Sequence, residues 1–319
     1  MALLVLVCIL SISFGVRSVS LNDITAALNG QSDSIAQAAV AKRIPRTVLG
    51  VIVGAALALS GSAMQAVTRN PIADPGILGV TSGASLAVVI GLAFFELTAP
   101  LGQMGLAVLG AAGAAVFVYS IASLGRGGAS PLKLALAGAA TSAALASLIT
   151  VILLPRVNIL MSFQSWQIGG VGGAEWSRIA ITAPALAAGA LICIASARGM
   201  NSLALGDDMA ASLGENVFRT RLMSSLGAVI LAGAATAIAG PIGFIGLVIP
   251  HLCRALVGSD YRWLLPVAAL AGAVLLVTAD IIGRVISPSG EEVQVGIITA
   301  VIGAPFFIWI VRRQKVREL

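Results

Sequence analysis

Between Arg46 and Arg69 the chain carries 22 consecutive uncharged residues, and runs of comparable length recur to its C-terminus. The hydrocarbon core of a bilayer is about 30 Å thick and takes about 20 helical residues to cross. Repeated runs of that length restrict the chain to an all-α polytopic membrane protein, because inside lipid a helix satisfies its own backbone polar groups. Composition agrees. Of 319 residues, 58% are hydrophobic and 10% charged, and the mean hydropathy is +1.03. Thirty-six glycines suit helices that pack closely through small residues.

Ten spans are expected. Residues 1–16 form the first, read as a retained helix and not a cleaved signal peptide, since no basic leader precedes it. Residues 20–42 read as a polar connector. The second span is 47–68, broken by Asn70-Pro71 and Asp74-Pro75-Gly76. The third is 77–95, the fourth starts near 103, and the fifth is 134–154 after a turn at Arg126–Pro131. Residues 157–175 read as irregular, with Trp166 and Trp176 as interfacial aromatics. The sixth span is 178–197 and the seventh 220–239. Gly240-Pro241-Ile242-Gly243 interrupts an uncharged run of 32 residues, leaving 244–257 as a short eighth helix. Residues 263–283 and, after a turn at Pro288–Gly290, 294–311 complete the set.

The longest charge-bearing break between spans is Leu203–Arg219. It reads as two short helical turns joined at Gly214. Asp207 and Asp208 suit a helix first turn, and Met209 and Leu213, four apart, share a face. A small amphipathic element on the end of a membrane bundle is a handle for another protein, or else a solvated connector.

Ten spans place both termini on one side. The basic tail Arg312, Arg313, Lys315 and Arg317 makes that side cytoplasmic. On this topology twelve basic residues lie inside: Arg69, Arg126, Lys133, Arg198, Arg219, Arg221, Arg254, Arg262 and the tail. Seven lie outside: Arg17, Lys42, Arg43, Arg46, Arg156, Arg178 and Arg284. The Lys42-Arg43-Ile44-Pro45-Arg46 cluster runs against the bias, which gives it an outside role or counts against the topology.

Several blocks resemble one family in its own order. They are Arg43-Ile44-Pro45-Arg46-Thr47, Gly54–Gly61 with Met64-Gln65, and Asn70-Pro71 with Asp74–Val80. Leu203–Gly206 with Ala210–Gly214, Gly240–His251 and Gly303-Ala304-Pro305-Phe306 follow. The chain is similar over nearly its whole length to the permease subunits of binding-protein-dependent ABC importers for iron chelates, haem and cobalamin, the FecCD family. The resemblance implies an ABC importer type II permease fold, one transmembrane domain over 1–319, and coupling helices at 200–217 between spans six and seven. It implies a bacterial inner-membrane location with both termini cytoplasmic. The implied partners are a second permease subunit (homo- or heterodimer), two ABC ATPases carrying ATP-Mg, an extracytoplasmic substrate-binding protein and membrane lipid. Two departures stand out. Gln294 occupies a position where the family usually has Pro, which puts the local helix start in question. The N-terminus also lacks the charged leader common in relatives and reads as truncated or started late.

The same resemblance implies roles for particular residues. Gly206, Asp207, Asp208, Met209, Ala210, Leu213 and Gly214 would couple to the ATPase, with Asp207, Asp208 and Glu215 meeting polar or basic groups there and Met209 and Leu213 making the apolar contact. Arg43, Arg46 and Arg284 would dock the binding protein; the other reading of Arg46, with Lys42, is neutralisation of lipid head groups, and the other reading of Arg284 is an internal pair with Asp280, four residues earlier on one helix face. Asn70, Pro71 and Ile72, with Ser130 and Pro131, would line the inner gate, or else be ordinary proline turns.

No catalytic or metal-binding role is expected. The single histidine, His251, and Cys8, Cys193 and Cys253 sit in apolar runs without ligand spacing. Gly169–Gly173 lacks the Lys-Ser/Thr of a phosphate loop, so ATP hydrolysis belongs to another chain. Nothing suggests nucleic acid. A stand-alone secondary transporter would need ionisable residues along a path inside the membrane, and only Asp280, near a span end, comes close. An intramembrane enzyme would need paired polar residues within the spans, and none are evident. Ferric siderophore is the expected cargo, with cobalamin or haem as alternatives.

Overall fold

The structure is a computed structural model. It describes residues 1–15, 19–30, 33–124, 130–286 and 292–313. The expected turns at Arg126–Pro131 and Pro288–Gly290 fall wholly or mostly outside these residues, as do Arg17, Glu291, Lys315 and Arg317. Among the described residues there are fourteen α-helices and no strand. In chain order they are α1 (Ala2–Ser13), α2 (Leu21–Leu28), α3 (Ile35–Thr68), α4 (Val80–Phe94), α5 (Pro100–Ser123), α6 (Pro131–Leu153) and α7 (Val157–Gln167). Then come α8 (Trp176–Ala195), α9 (Ala197–Leu203), α10 (Asp207–Ser212), α11 (Val217–Ala239), α12 (Ile245–Val257), α13 (Tyr261–Val285) and α14 (Val295–Arg313). A 3-10 turn at Pro75–Leu78 precedes α4.

Helices α3, α5, α6, α8, α11 and α13 are long and apolar enough to cross a bilayer, and α1, α4, α12 and α14 are shorter apolar helices. These ten coincide with the ten expected spans. Helix α14 starts at Val295, directly after Gln294, so the missing proline leaves the helix start in place.

Helix α3 is the centre of the bundle. It packs on α13, α11 and α12, and 78% of its most apolar window is buried, against 17% for the peripheral α6. Small residues make this possible. A Cβ on Gly54 would lie 2.4 Å from the Gly272 carbonyl oxygen of α13, and one on Gly61 would lie 2.0 Å from that of Gly246 in α12. At these two crossings backbone meets backbone, the packing mode that replaces hydrophobic drive inside lipid. Ser60 Oγ adds a hydrogen bond to the Ala228 carbonyl of α11 at 2.6 Å.

Three expectations are corrected. The 20–42 connector is mostly helical. Ser20 with Asp23 and Ser34 with Gln37 form capping boxes that start α2 and α3, and the Ala-rich stretch after Ser34 propagates. Helix α3 then runs through Pro45. Residues 157–175 are not wholly irregular, because α7 forms there and stacks Phe163 on Trp166 with ring centroids 6.0 Å apart. The two short helices at the handle are α9 and α10, joined at Gly206 (φ +105°); Gly214 (φ +83°) instead leads from α10 into α11. Both glycines adopt backbone angles that a Cβ disfavours.

Candidate functional site

At the α10 end of the bundle, Gly206 turns the chain so that Asp207 and Asp208 open α10. Asp207 points inward. Its carboxylate accepts two hydrogen bonds from Arg221 Nη2 of α11, at 2.9 and 3.1 Å, and lies 3.4 Å from Arg69 Nη2. Arg69 is the left-handed C-cap of α3. Glu215 accepts a short hydrogen bond from the Thr220 hydroxyl. Asp207 and Glu215, expected to face a partner, therefore have partners within the chain. Ala210, on the inner face of α10, is fully buried. The outward face holds Asp208, Met209 (55% exposed) and Leu213 (64% exposed).

Helix α9 is fastened separately. Asn201 Nδ2 donates to Asp260 Oδ1 at 2.6 Å, and Asn201 Oδ1 accepts from the Tyr261 backbone N–H at 2.8 Å. Hydrogen bonds from Arg262 first, and from Asn201 second, hold the Asp260 carboxyl well below the usual carboxylate range. The α9–α10 element is thus tied by polar contacts to the ends of α3, α11 and α13.

The expected gate residues follow immediately after Arg69. Asn70 Oδ1 accepts from the Ile72 N–H at 3.1 Å, which closes the turn, and Ile72 is 39% exposed. Ser130 caps α6 through the Lys133 N–H, and Pro131 opens that helix. The chain then folds back into the bundle. Asp74 Oδ1 accepts from the Gly76 N–H at 2.7 Å. It lines a cavity of about 310 Å³ shared with Leu57, Thr81, Thr236, Pro241 and Gly243. Leu57 is eleven residues from the end of α3, which places this cavity roughly 16 Å inside that end. Asp74 is therefore an ionisable side chain at membrane depth, a position by default functional. Reading Asp74-Pro75-Gly76 as a simple break missed it. The signal was present in the 3-10 sequence Pro75–Leu78, too short to be a span and too apolar for a solvated loop.

At the opposite end, Arg46 of α3 binds Asp280 of α13 in a fork, with Nη2–Oδ1 at 2.8 Å, and its Nη1 donates to Glu292. Arg284 Nε meets Asp280 Oδ2 at 3.1 Å. Arg284 also donates from Nη1 to the Ser11 carbonyl at 2.9 Å and from Nη2 to Ser11 Oγ at 2.7 Å. Arg43 donates to the Ile12 and Ser13 carbonyls, each at 3.1 Å. Two guanidiniums thus satisfy the orphan carbonyls that end α1. Arg43 and Arg284 are 7% and 2% exposed. The internal Asp280–Arg284 pair is formed, and all three arginines face one polar cluster joining α1, α3 and α13. Glu292, at 41%, is the most exposed side chain of the ion-paired set. Among the described residues no group of His, Cys, Asp and Glu could hold a metal ion.

The comparisons with known proteins agree with this architecture. The FecCD transport family matches residues 3–313. The chain is 43% identical over 314 residues to the ferric enterobactin transport system permease protein FepD of Escherichia coli (strain K12), covering 98% of this chain and 93% of that protein. It is 39% identical over 278 residues to the cobalamin import system permease protein BtuC of Halobacterium salinarum (strain ATCC 700922 / JCM 11081 / NRC-1), covering 87% and 74%. Among solved structures, a metal-chelate type ABC transporter in an inward-facing conformation superposes with a TM-score of 0.85 at 29% identity, covering 98% of this chain and 96% of that one. With its fold, its blocks in order and these relatives in agreement, the chain belongs to the FecCD transport family of membrane permeases.

Proposed function

We propose that this chain is the permease subunit of a binding-protein-dependent ABC importer that moves a ferric siderophore inward across a bacterial inner membrane. It pairs with a second permease subunit, and the α9–α10 end faces the cytoplasm. Two ABC ATPases bind there and carry ATP-Mg; this chain holds no cofactor of its own. The observation that carries the reading is the path from α10 to the turn at Asn70. Met209 and Leu213 present an apolar pair to a partner, while Asp207 on the same helix reaches Arg69, the residue directly before Asn70-Pro71-Ile72. A push on α10 is delivered to the gate turn and to α11 as rigid-body motion, with the free energy supplied by the ATPases.

On the outer side, Arg43, Arg46 and Arg284 dock the binding protein. Among the described residues the cluster holds these three cations against Asp280 and Glu292. An acidic side chain of the binding protein displaces Glu292 from Arg46, which gives orientation and on-rate. Siderophore is preferred as cargo because a relative at 44% identity over 272 residues is named a probable siderophore transport system permease protein, and FepD, at 43%, is named for ferric enterobactin. Cobalamin is the second reading, from the relative at 39%.

The test is uptake of labelled ferric siderophore and labelled cobalamin in cells with and without this gene. Loss of siderophore uptake alone is the expected result. Loss of cobalamin uptake alone overturns the cargo, and loss of neither overturns both assignments.

A further inference from the structure

Asp74 stands about midway between the two charged layers of the bundle. Leu57, which lines the same cavity, is eleven residues from Arg46 and twelve from Arg69 along α3, about 16 and 18 Å at 1.5 Å per residue. Among the described residues no ion pair reaches Asp74, and no basic side chain lines its cavity. Its Oδ1 caps the 3-10 turn through the Gly76 N–H. That bond leaves Oδ2 without a partner in the chain. An ionised carboxylate at this depth calls for a counter-charge.

The cavity lies where two stretches of backbone leave the α-helix. Residues 69–79, with their 3-10 turn, form one side and residues 240–244 the other. At membrane depth such backbone is tolerated where protein buries it or where it lines a polar space. Thr236 reaches this space from α11. Thr68, Thr150 and Thr182 each donate to a carbonyl four residues back in their own helices, the usual habit of a membrane threonine. Thr236 does not. It is only 3% exposed, and its hydroxyl has no partner in the chain. Unlike the sealed oxygens of Ser224 and Ser225, that hydroxyl keeps accessible surface, and the surface it has is the cavity.

The local electrostatics are divided in a useful way. Thr236 lies in the last turn of α11, which ends at Ala239, and the C-terminal end of a helix attracts a cation. Helices α4 and α12 begin at the cavity, with Thr81 and Gly246 in their first turns, and helix N-termini hold the Asp74 carboxyl in its charged form. The available ligands are therefore hard oxygens: one carboxylate and the Thr81 and Thr236 hydroxyls. Hard cations take such ligands. One carboxylate balances one positive charge, whereas a divalent ion would leave an uncompensated charge at membrane depth. A monovalent ion needs no cluster of His, Cys, Asp and Glu, and among the described residues there is none. The cavity, about 310 Å³, has room for the ion and several of its waters at about 30 Å³ each.

We propose that this cavity binds one alkali cation, sodium or potassium, held by Asp74 with Thr81 and Thr236. The ion ties the segment that follows the Asn70-Pro71 turn to α4 and α11. It is a structural ion and does not energise transport, so the proposal is independent of the cargo and of the ATPases.

The test is equilibrium binding of radiolabelled sodium, and of rubidium as a stand-in for potassium, to the purified full-length permease at neutral pH. N-methyl-D-glucamine serves as the inert cation at constant ionic strength. One of the two ions is expected to bind saturably, with one site per chain, and to raise the unfolding temperature. Asp74→Asn keeps the Oδ1 cap and removes the charge, so it should abolish both effects. Thr236→Val keeps the shape and removes the hydroxyl, so it should weaken binding several-fold. Thr150→Val, whose hydroxyl bonds its own helix, should leave binding unchanged. No saturable binding of either ion to the wild type overturns the proposal, and so does full binding by Asp74→Asn. A wild-type stability that ignores both ions but rises on acidification, with Asp74→Asn insensitive, also overturns it, because a proton then neutralises the carboxylate. Where Asp74→Asn does not assemble, equal affinity in Thr236→Val and Thr150→Val overturns the proposal instead.

Discussion

The Asp207 carboxylate stands 3.4 Å from the Arg69 guanidinium, and this contact joins a surface helix of six residues to the C-cap of the central helix α3. Both side chains are about two fifths exposed, 38% and 41%, so this pair alone is worth at most about 1 kcal/mol. The stronger tie is to Arg221, whose side chain is 9% exposed. Asp207 thus bridges an exposed cation next to the Asn70-Pro71 turn and a buried one on α11.

Asp207→Asn removes the charge and keeps the size. We expect it to weaken the Arg221 tie by about 1–3 kcal/mol, the usual cost of leaving a buried polar group short of its partner. In proteoliposomes the variant should retain ATP hydrolysis and lose most of its transport. Transport and hydrolysis falling in step would show that Asp207 transmits no motion.

Leu213→Asp places a charge on the outward face of α10, where Leu213 is 64% exposed. Surface substitutions away from packed features typically shift stability by within about 0.5 kcal/mol, so the permease should fold and insert normally. Co-purification of the ATPase subunits should drop, and uptake with it. Normal uptake by this variant would remove α10 from the coupling interface.

Glu292→Gln frees Arg46 from its more exposed partner, while Asp280, with a side chain 4% exposed, remains. Surface plasmon resonance should show faster association of the binding protein, because the cluster becomes more positive toward an acidic docking face. Reversal at the same position on the binding protein's acidic contact should abolish the gain. Unchanged association kinetics would separate this cluster from docking and leave it the purely internal task of holding α1 to α3 and α13.

Gly61→Ala tests the central crossing. A Cβ there would lie 2.0 Å from the Gly246 oxygen, whereas one on Gly113 of α5 meets nothing within 4 Å. Overpacking of this kind costs about 1–3 kcal/mol, and a glycine-to-alanine change in open helix gains up to about 1 kcal/mol. Thermal unfolding should therefore place Gly61→Ala below wild type and Gly113→Ala at or above it. The reverse order would mean that α3 and α12 do not touch through these glycines.

Much of the architecture was legible before any coordinates. Span positions follow from run length, because a helix in lipid is set by how many uncharged residues it takes to cross. Helix α3 illustrates the limit. Its uncharged run covers only 47–68, yet the helix begins at Ile35, since capping by Ser34 and helix-forming alanines continue it beyond the lipid. The residue pairs were far less legible. Arg46 and Asp280 are 234 positions apart, and no local pattern joins them. Asp74 was hidden for a related reason. The proline and glycine around it mark a turn, and only the packing of that turn against Leu57 and Thr236 carries it into the membrane.

The sequence by itself determined that this is a multi-span helical membrane protein with a polar helical element after its sixth span, because hydrophobic run length and turn chemistry are local properties. Tertiary structure alone decided which charges face each other. It turned Asp207 inward and left Met209 and Leu213 outward, and it buried Arg43 and Arg284 against the end of α1. Those outcomes depend on how helices far apart in the chain come together, and close approach at glycines such as Gly54, Gly61, Gly246 and Gly272 fixes that arrangement.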